Sequence, residues 1–276
     1  MGKRPSELMT AIESVLAQQQ VTTEIVVVGN GWQPVDLPSG VRALGLPENL
    51  GIPAGRNAGV PQVTGDLLFF LDDDAALPDP MFLRQVADKF EADQRLGLIQ
   101  PRVVDPTGLV APRRWVPRLR VGDPGEPGPA TALWEGAVVI RPELFAAVGG
   151  WPGEFFYAHE GIDLVWRVWD EGYVAWYAAD LIANHPVIDP ARHAVYYRMN
   201  ARNRVWLARR NLPLVLEPFY VGTWVAMTLA RVHDRSALRA WFAGLGEGIR
   251  TRPAGRRPMK WRTVWAMTKA GRPPVI

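Results

Sequence analysis

One stretch of the chain restricts its fold more than any other: an apolar segment that runs directly into three adjacent aspartates. Residues 67–71 are all apolar, and Asp72, Asp73 and Asp74 follow them. Such a run indicates a strand buried on both faces, as in a parallel sheet. Neighbouring carboxylates repel one another, and a divalent cation is the simplest compensation. Because ligands of open α/β sheets bind beyond the carboxyl ends of strands, the sequence predicts a metal site here, with a solvated acidic loop as the alternative.

Strand and helix patterns alternate along much of the chain. This order predicts an α/β fold with a mostly parallel central sheet flanked by helices. Strands are expected at 24–28, 41–44, 67–71, 98–104, 136–140 and 173–177, and helices at 6–19, 53–62, 80–92, 142–148, 160–171 and 191–211. Residues 105–131 are rich in Pro, Gly and Arg, which predicts a long loop of the kind that often serves as a lid.

Composition and charge exclude several classes of protein. The 276 residues include no cysteine, so disulfides, thiolate metal sites and a cysteine nucleophile are excluded. No apolar run reaches the roughly 18 residues of a transmembrane helix. Residues 1–200 hold 16 Lys+Arg and 25 Asp+Glu, a net charge of −9, whereas residues 201–276 hold 15 and 3, a net charge of +12. This asymmetry predicts an anionic partner or surface for the C-terminal part.

The basic part has the composition of an interfacial anchor. Residues 248–273 contain eight Lys+Arg, no acid and two Trp, and residues 218–230 carry no charge at all. Such segments favour the headgroup zone of an anionic membrane. We therefore expect a catalytic domain at 1–211 and a helical extension at 212–276 that attaches the protein to the inner face of the plasma membrane.

Four motifs in a fixed order carry a resemblance to a known family. They are the strand at 25–28 ending in Gly-Asn-Gly, the runs 48–59 and 70–75, and the block 149–167. With these motifs the chain resembles the family 2 glycosyltransferases, inverting enzymes with the GT-A fold. The last block is similar to that of bacterial rhamnosyl- and galactofuranosyltransferases. The resemblance covers residues 1 to about 211.

The resemblance implies a set of ligands and residues. It implies a nucleoside-diphospho-sugar donor, Mn²⁺ or Mg²⁺ as cofactor, and a hydroxyl acceptor on a glycan or a lipid-linked saccharide. The implied metal ligands are Asp72, Asp74 and His185; the implied nucleotide-sugar contacts are Asn30, Arg56, Asn57, Asp72, Asp73, Arg202 and Arg204; the implied acceptor contacts are Trp134 and Glu135. Several of these residues have a structural alternative: a turn for Asn30, ordinary packing for Trp134, and a surface charge for Arg56, Arg202 and Arg204.

Two departures from the family pattern affect these expectations. Family members begin with a strand before the first helix, so we expect the natural protein to start upstream of Met1. The family's acidic pair Glu-Asp reads Glu160-Gly161 here, and the second acid is usually the catalytic base. Glu160 and Asp163 are the remaining candidates. Because Arg167 can pair with Asp163 at i+4, we favour Glu160 as the base and Asp163 as a structural acid, with the reverse left open.

Two other function classes fit part of the sequence. A nucleotidyltransferase of related fold also needs a metal and carboxylates, but it usually carries a glycine-rich basic loop after its first strand, and none is seen. A non-enzymatic binder could use the basic tail for nucleic acid, but the aromatic and apolar residues there favour a membrane. The motifs favour a metal-dependent inverting glycosyltransferase of cell-envelope polysaccharide or glycolipid synthesis.

Overall fold

The computed structural model describes residues 4–117, 123–187 and 194–276. The strands are β1 Ile25–Asn30, β2 Val41–Leu46, β3 Leu68–Leu71, β4 Leu96–Val104, β5 Gly128–Pro129, β6 Ala137–Ile140 and β7 Val174–Asn184. The helices are α1 Pro5–Leu16, α2 Ile52–Gly59, α3 Phe82–Ala92, α4 Pro142–Ala147, α5 Glu160–Asp170, α6 Ala194–Asn211, α7 Glu217–Arg231, α8 Arg235–Arg250 and α9 Trp261–Lys269. Of the predicted loop 105–131, residues 118–122 lie outside the described ranges, as do residues 188–193 ahead of α6.

The described strands form two sheets. β1 and β2 pair in parallel, and the other five strands have the order β3-β6-β4-β7-β5. In this larger sheet β4 and β7 are parallel, whereas β6 runs antiparallel to both β3 and β4, and β5 runs antiparallel to β7. The α/β class with a central sheet flanked by helices is confirmed. The sheet itself is mixed, where we predicted mostly parallel strands.

The central strand β6 explains why the strand directions were not predictable. Val138 and Ile140 face one hydrophobic core, Ala137 and Val139 face the other, and all four are buried. A short apolar run buried on both faces fits a central strand of either direction. β3 lies at an edge of the larger sheet, and so its residues after Leu68 are only partly buried.

The C-terminal helices share the main core with the rest of the chain. Tyr220, Met259 and Met267 belong to the same buried cluster as Leu164 and Trp166 of α5. The residues predicted as an extension therefore complete the hydrophobic core on one side of the sheet. In the described ranges, none of the helices is long and apolar enough to cross a membrane.

One face of α7 packs inward and the other is exposed. Tyr220 is 1% exposed, whereas Val215, just before the helix, Phe219 and Leu229 are 59%, 67% and 52% exposed. Gly222 and Ala226 are exposed as well, so these five residues follow one another at intervals of four and three and form a single helical face. We call Val215, Phe219, Gly222, Ala226 and Leu229 the exposed α7 face.

Candidate functional site

The acidic cluster lies where the ends of β3 and β7 meet. The N–H of Asp72 donates to the carbonyl of Gly136 at 2.8 Å, which fixes the turn after β3. Two residues past the cluster, Ala76 forms a bridge with Asn184 at the end of β7. The residue after Asn184 is His185, and the bridge therefore brings its ring next to Asp74.

Asp72, Asp74 and His185 form one group of possible ligands. One oxygen or nitrogen from each side chain lies within 4.8 Å of the others. His185 Nε2 lies 3.1 Å from Asp74 Oδ1. The imidazole also contacts the edges of Trp115 and Trp134, with ring centroids 5.5 Å and 4.9 Å away. Trp134, which was predicted on the acceptor side, thus packs directly against the metal-site histidine.

The electrostatics of this group favour charged side chains. Burial opposes the charged imidazole, but the hydrogen bond and the charge of Asp74 more than offset it, so the pKa of His185 is raised. Burial likewise opposes the Asp74 carboxylate, yet its contacts with His185 and Arg4 keep the pKa of Asp74 below its usual value. The pKa of Asp73 is raised, chiefly by burial, although Arg4 opposes the shift.

Two arginines neutralise the aspartates. Arg4 donates to Asp73 at 3.1 Å and forms an ion pair with Asp74, and Arg56 donates to Asp72 at 2.6 Å. Sequence reasoning did not identify Arg4, because no local pattern connects it with residues seventy positions away. Arg4 and Arg56 thus offset part of the negative charge of the three aspartates.

The residues present fit a divalent cation. Two carboxylates and an imidazole provide oxygen and nitrogen donors of the kind that Mn²⁺ and Mg²⁺ sites use. Within the described ranges, Nδ1 of His185 is buried and has no hydrogen-bond partner. Since an unpaired buried polar atom is costly, the ring has capacity for a ligand that the protein atoms do not supply.

A pair of glutamates lies beside this cluster. Glu135 Oε1 accepts a hydrogen bond of 2.9 Å from the Gly161 N–H, and Glu160, the first residue of α5, is 3% exposed. Burial, followed by the charge of Glu160, raises the pKa of Glu135 to about 8, while Arg56 acts in the opposite direction. Burial also raises the pKa of Glu160, against the effect of Arg56. The pair therefore favours retention of a proton.

Asp163, the other predicted catalytic acid, has different surroundings. It is fully buried and accepts hydrogen bonds from Arg167 Nε at 3.1 Å, Arg210 Nε at 3.0 Å and Asn211 Nδ2 at 2.6 Å. Both oxygens thus point to partners within the protein. The i+4 ion pair with Arg167 is the one that the spacing predicted.

The two asparagines predicted at the nucleotide use their amides to hold loops. Asn30 is buried, donates to the Gly51 carbonyl at 2.7 Å and accepts from the Leu50 N–H at 2.8 Å. Asn57 donates to the Trp151 carbonyl at 2.8 Å and accepts from the Trp151 N–H at 3.0 Å. Both side chains therefore join separate segments around the site.

Arg202 and Arg204 lie on α6, far from the aspartates in sequence. Both are held by contacts with other residues. Arg202 stacks on Trp206 and donates to the Phe155 carbonyl at 2.9 Å. Arg204 stacks on Trp224 and donates to the Tyr220 hydroxyl at 3.2 Å. Arg204 also lines a cavity of about 210 Å³, together with Tyr196, Tyr197, Asn200, Trp224, Arg231 and Trp241.

A strained segment precedes the glutamate-bearing helix. Phe156, Ala158 and His159 all have left-handed backbone conformations, with φ of 64°, 72° and 69°. The amide of Asn203 donates to three main-chain carbonyls of this segment and so holds it in place. Left-handed residues other than glycine often mark functional sites. Sequence reasoning missed Asn203, since nothing in its local pattern distinguishes it from a surface residue of α6.

Comparisons with known proteins agree with this geometry. Residues 3–124 match the family model described as Glycosyl transferase family 2. A search of curated proteins found no match. GalNAc-T7, solved with UDP, GalNAc and Mn²⁺, aligns at a TM-score of 0.62 and 14% identity, over 98% of this chain and 55% of that chain. The chain has the GT-A fold.

Two further solved glycosyltransferase structures share the GT-A fold with this chain. S. aureus TarS aligns at a TM-score of 0.59 and 14% identity, over 89% of this chain and 47% of that chain. The mannosyltransferase PcManGT from Pyrobaculum calidifontis, in complex with GDP-Man and Mn²⁺, aligns at 0.54 and 16% identity, over 95% of this chain and 75% of that chain. The chain spans about half the length of GalNAc-T7 and of TarS.

Proposed function

We propose that the protein is a metal-dependent inverting glycosyltransferase that moves a sugar from a nucleoside-diphospho-sugar to a hydroxyl acceptor. One observation carries the proposal: Asp72, Asp74 and His185 converge beside Arg56 and the Glu135–Glu160 pair, in a GT-A fold. Structures of this fold have been solved with UDP, UDP-GlcNAc, or GDP-Man and Mn²⁺. These ligands suggest the class of donor and metal for this chain.

The donor side of the site is assigned to the aspartates and Arg56. Asp72, Asp74 and His185 would hold Mn²⁺ or Mg²⁺, and a bound ion would supply positive charge for the diphosphate leaving group. Asp73, 43% exposed, faces the ribose or the donor sugar. In the described ranges Nη1 of Arg56 is buried and unpaired, and we assign it to a donor oxygen. Asn30 and Asn57 shape the nucleotide side by holding their loops.

The acceptor side is assigned to the glutamate pair. In an inverting transfer, the acceptor hydroxyl must lose its proton as it attacks the sugar carbon. Glu135 and Glu160 are carboxyl groups with a raised pKa beside the predicted metal site, as a base near neutral pH requires. Asp163 is excluded as the base in this proposal, because its carboxylate is bound by Arg167, Arg210 and Asn211.

The acceptor class follows from the surface beside the pair. Burial, and then Tyr196 and the two glutamates, raises the pKa of Tyr157 to about 12. Through these neighbours Tyr157 connects the glutamate pair with the cavity that Tyr196 and Arg204 line. Aromatic rings and arginines suit a saccharide linked to a phosphate. We propose a lipid-linked acceptor of cell-envelope synthesis. The block at 149–167 is similar to that of rhamnosyl- and galactofuranosyltransferases, and we therefore propose rhamnose or galactofuranose as the donor sugar.

Metal-dependent nucleotide binding tests the proposed function. Asp74→Ala removes a ligand that is 4% exposed, so we expect at least about a tenfold loss of Mn²⁺-dependent affinity for UDP or GDP, because a charge-assisted contact is lost. Asp66→Ala, an exposed acid before β3, serves as the control and should bind as wild type does. Isothermal titration with and without Mn²⁺ measures both. Equal metal-dependent affinity in Asp74→Ala contradicts the metal site.

The reaction products distinguish the two enzyme classes. Wild type incubated with a panel of UDP-, GDP- and dTDP-hexoses and Mn²⁺ should release nucleoside diphosphate. If wild type instead releases pyrophosphate from a nucleoside triphosphate and a hexose 1-phosphate, and no nucleoside diphosphate from the panel, it is a nucleotidyltransferase.

We also propose that the protein docks on the inner face of the plasma membrane. The exposed α7 face is apolar, and Trp261 and Trp265 of α9 are 52% and 64% exposed. Arg250, Arg252, Arg262 and Lys269 are exposed and, within the described ranges, have no acidic partner. Near an anionic surface each such cation contributes about 1 kcal/mol. Apolar residues for the interface and unpaired cations for the headgroups thus occur in the same C-terminal part.

Vesicle sedimentation tests the membrane proposal with the full chain, because Met259 and Met267 lie in the core and truncation would expose it. Anionic vesicles should bind wild type at low salt and retain part of it at about 0.5 M salt, since apolar burial persists when charge is screened. Replacing Arg250, Arg252, Arg262 and Lys269 by Ser should weaken low-salt binding to the level that wild type keeps at about 0.5 M salt, whereas replacing Arg42 and Arg95 should not. Equal binding to neutral vesicles, or preference for DNA at matched salt, contradicts the proposal.

A further inference from the structure

Position 161 is glycine because another side chain already fills its space. Gly161 is the second residue of α5, and its backbone is not in the left-handed region that requires glycine. A Cβ placed there would lie 2.5 Å from Glu135 Oε1 and 2.6 Å from Glu135 Cγ. Real Cβ atoms essentially never make nonbonded contacts this short, so the Glu135 side chain would have to move if residue 161 carried a Cβ. The constraint on residue 161 therefore comes from the Glu135 carboxylate rather than from the helix.

The same carboxylate is held by the helix that it approaches. Glu135 belongs to the turn before β6, and its Oε1 accepts the hydrogen bond from the Gly161 N–H at 2.9 Å. That N–H is in the first turn of α5, where main-chain donors lack helical partners and a negative charge is stabilised. Glu135 thus places its carboxylate at the start of α5, in the space that a side chain at residue 161 would occupy.

We propose that Glu135 is the general base of the transfer and replaces in space the acid that the family resemblance expects at residue 161. The assignment rests on the proposed function. The acceptor oxygen forms a bond to the anomeric carbon of the donor sugar, and the bond from that carbon to the diphosphate oxygen breaks. Its electron pair leaves with the nucleoside diphosphate. The hydroxyl proton passes to the Glu135 carboxylate, which later releases it to solvent.

Accessibility separates the two glutamates. Glu160 is 3% exposed, whereas Glu135 is only partly buried, so Glu135 is the one that an acceptor can reach. Glu160 acts through Glu135: a second carboxylate nearby disfavours the charged form and makes Glu135 a stronger base. Arg56, Asp72 and Tyr157 are the other titratable groups around the pair. This assignment replaces our sequence-based preference for Glu160 as the base.

Four variants test the assignment: Glu135→Gln, Glu135→Ala, Gly161→Asp and the double variant Glu135→Ala, Gly161→Asp. The probe is the sugar nucleotide that wild type hydrolyses fastest among UDP-, GDP- and dTDP-hexoses. Glu135→Gln should lower nucleoside diphosphate release by about 10²-fold or more, with Mn²⁺-dependent UDP or GDP affinity within about threefold of wild type. Gly161→Asp alone should lower the melting temperature, because its side chain collides with Glu135. The double variant Glu135→Ala, Gly161→Asp should melt higher than Gly161→Asp and release nucleoside diphosphate at least about tenfold faster than Glu135→Ala.

Glu160→Gln is the matched control for a positioning role. Removing the neighbouring charge should move the pH profile of release to lower pH, while the rate at high pH stays within about tenfold of wild type. A Glu135→Gln rate within about threefold of wild type overturns the assignment, as does wild-type melting of Gly161→Asp. If wild type releases nucleoside diphosphate from no donor in the panel, the proposed function fails and the assignment fails with it.

Discussion

Two carboxyl groups on the same helix, one turn apart, have opposite surroundings. Asp163 is fully buried and accepts hydrogen bonds from two arginines and an asparagine. Glu160 is nearly as buried, but in the described part of the chain its Oε2 has no hydrogen-bond partner, and its neighbour is the carboxyl of Glu135. Both carboxyl groups are therefore buried. They differ in how many hydrogen-bond and ion-pair partners each one has.

This difference distinguishes a group that holds the fold from one that is available for chemistry. The Asp163 network joins α5 to α6 through Arg210 and Asn211, and Arg167 extends it to the Gly255 carbonyl at 3.0 Å. The Glu135–Glu160 pair has a single hydrogen bond of this kind among the described contacts, from the Gly161 N–H to Glu135, and it lies beside the predicted metal site, where Arg56 interacts with both. A buried carboxyl whose partners are missing is a better candidate for function than one whose partners are complete.

The largest expected effect is on stability, from Asp163→Asn. The change keeps the shape of the side chain but leaves Arg167 and Arg210 without the buried negative charge. Removing one partner of a buried ion pair costs about 3–5 kcal/mol, and we expect a loss of this size in the free energy of unfolding. Urea denaturation measures it.

A surface ion pair gives the matched control for that experiment. Asp88 is 60% exposed and pairs with Arg84 at i+4 on α3. Asp88→Asn should cost no more than about 0.5 kcal/mol. If Asp163→Asn costs no more than this control, the Asp163 network does not stabilise the fold, and the contrast between the two acids fails.

Sequence reasoning was strongest where the signal was local. The i+4 pairing of Asp163 with Arg167 and the presence of a strand before the aspartates were predicted correctly, because both depend on residues within a few positions of one another. The predicted burial of that strand on both faces was wrong, because β3 lies at an edge of the sheet and is only partly buried. The convergence of Asp72 and Asp74 with His185 was expected from the family resemblance, and the bridge between Ala76 and Asn184 provides its physical cause.

Contacts between distant segments were not predictable in this way. Arg4 contacts Asp73 and Asp74, which are 69 and 70 positions away in the chain. Glu135 fills the space beside Gly161, which is 26 positions away. Both contacts depend on how separate elements pack, which no periodicity encodes. The same holds for α7: its apolar character was visible, but the packing decides that Tyr220 is buried and Phe219 exposed.

The second expected effect has the opposite sign, depends on pH and comes from Glu135→Gln. An unfolded glutamate loses its proton near pH 4.3, whereas the folded pair retains one until Glu135 titrates at about pH 8. Between these values the folded state binds more protons than the unfolded state, so the stability of wild type falls as pH rises. The variant has no such carboxyl to ionise and should lose less stability.

The pH dependence of the unfolding free energy therefore tests most directly whether the Glu135–Glu160 pair retains a proton near neutral pH. Urea denaturation of wild type and Glu135→Gln should give similar stabilities near pH 3 to 4, where both glutamates of the folded and unfolded chains are largely protonated. The variant should become the more stable protein as pH rises, by roughly a few kcal/mol at pH 8, since the folded pKa exceeds the unfolded value by several units and each unit corresponds to about 1.4 kcal/mol. A stability difference that stays constant between these pH values, or a variant that is less stable at pH 8, would contradict the claim.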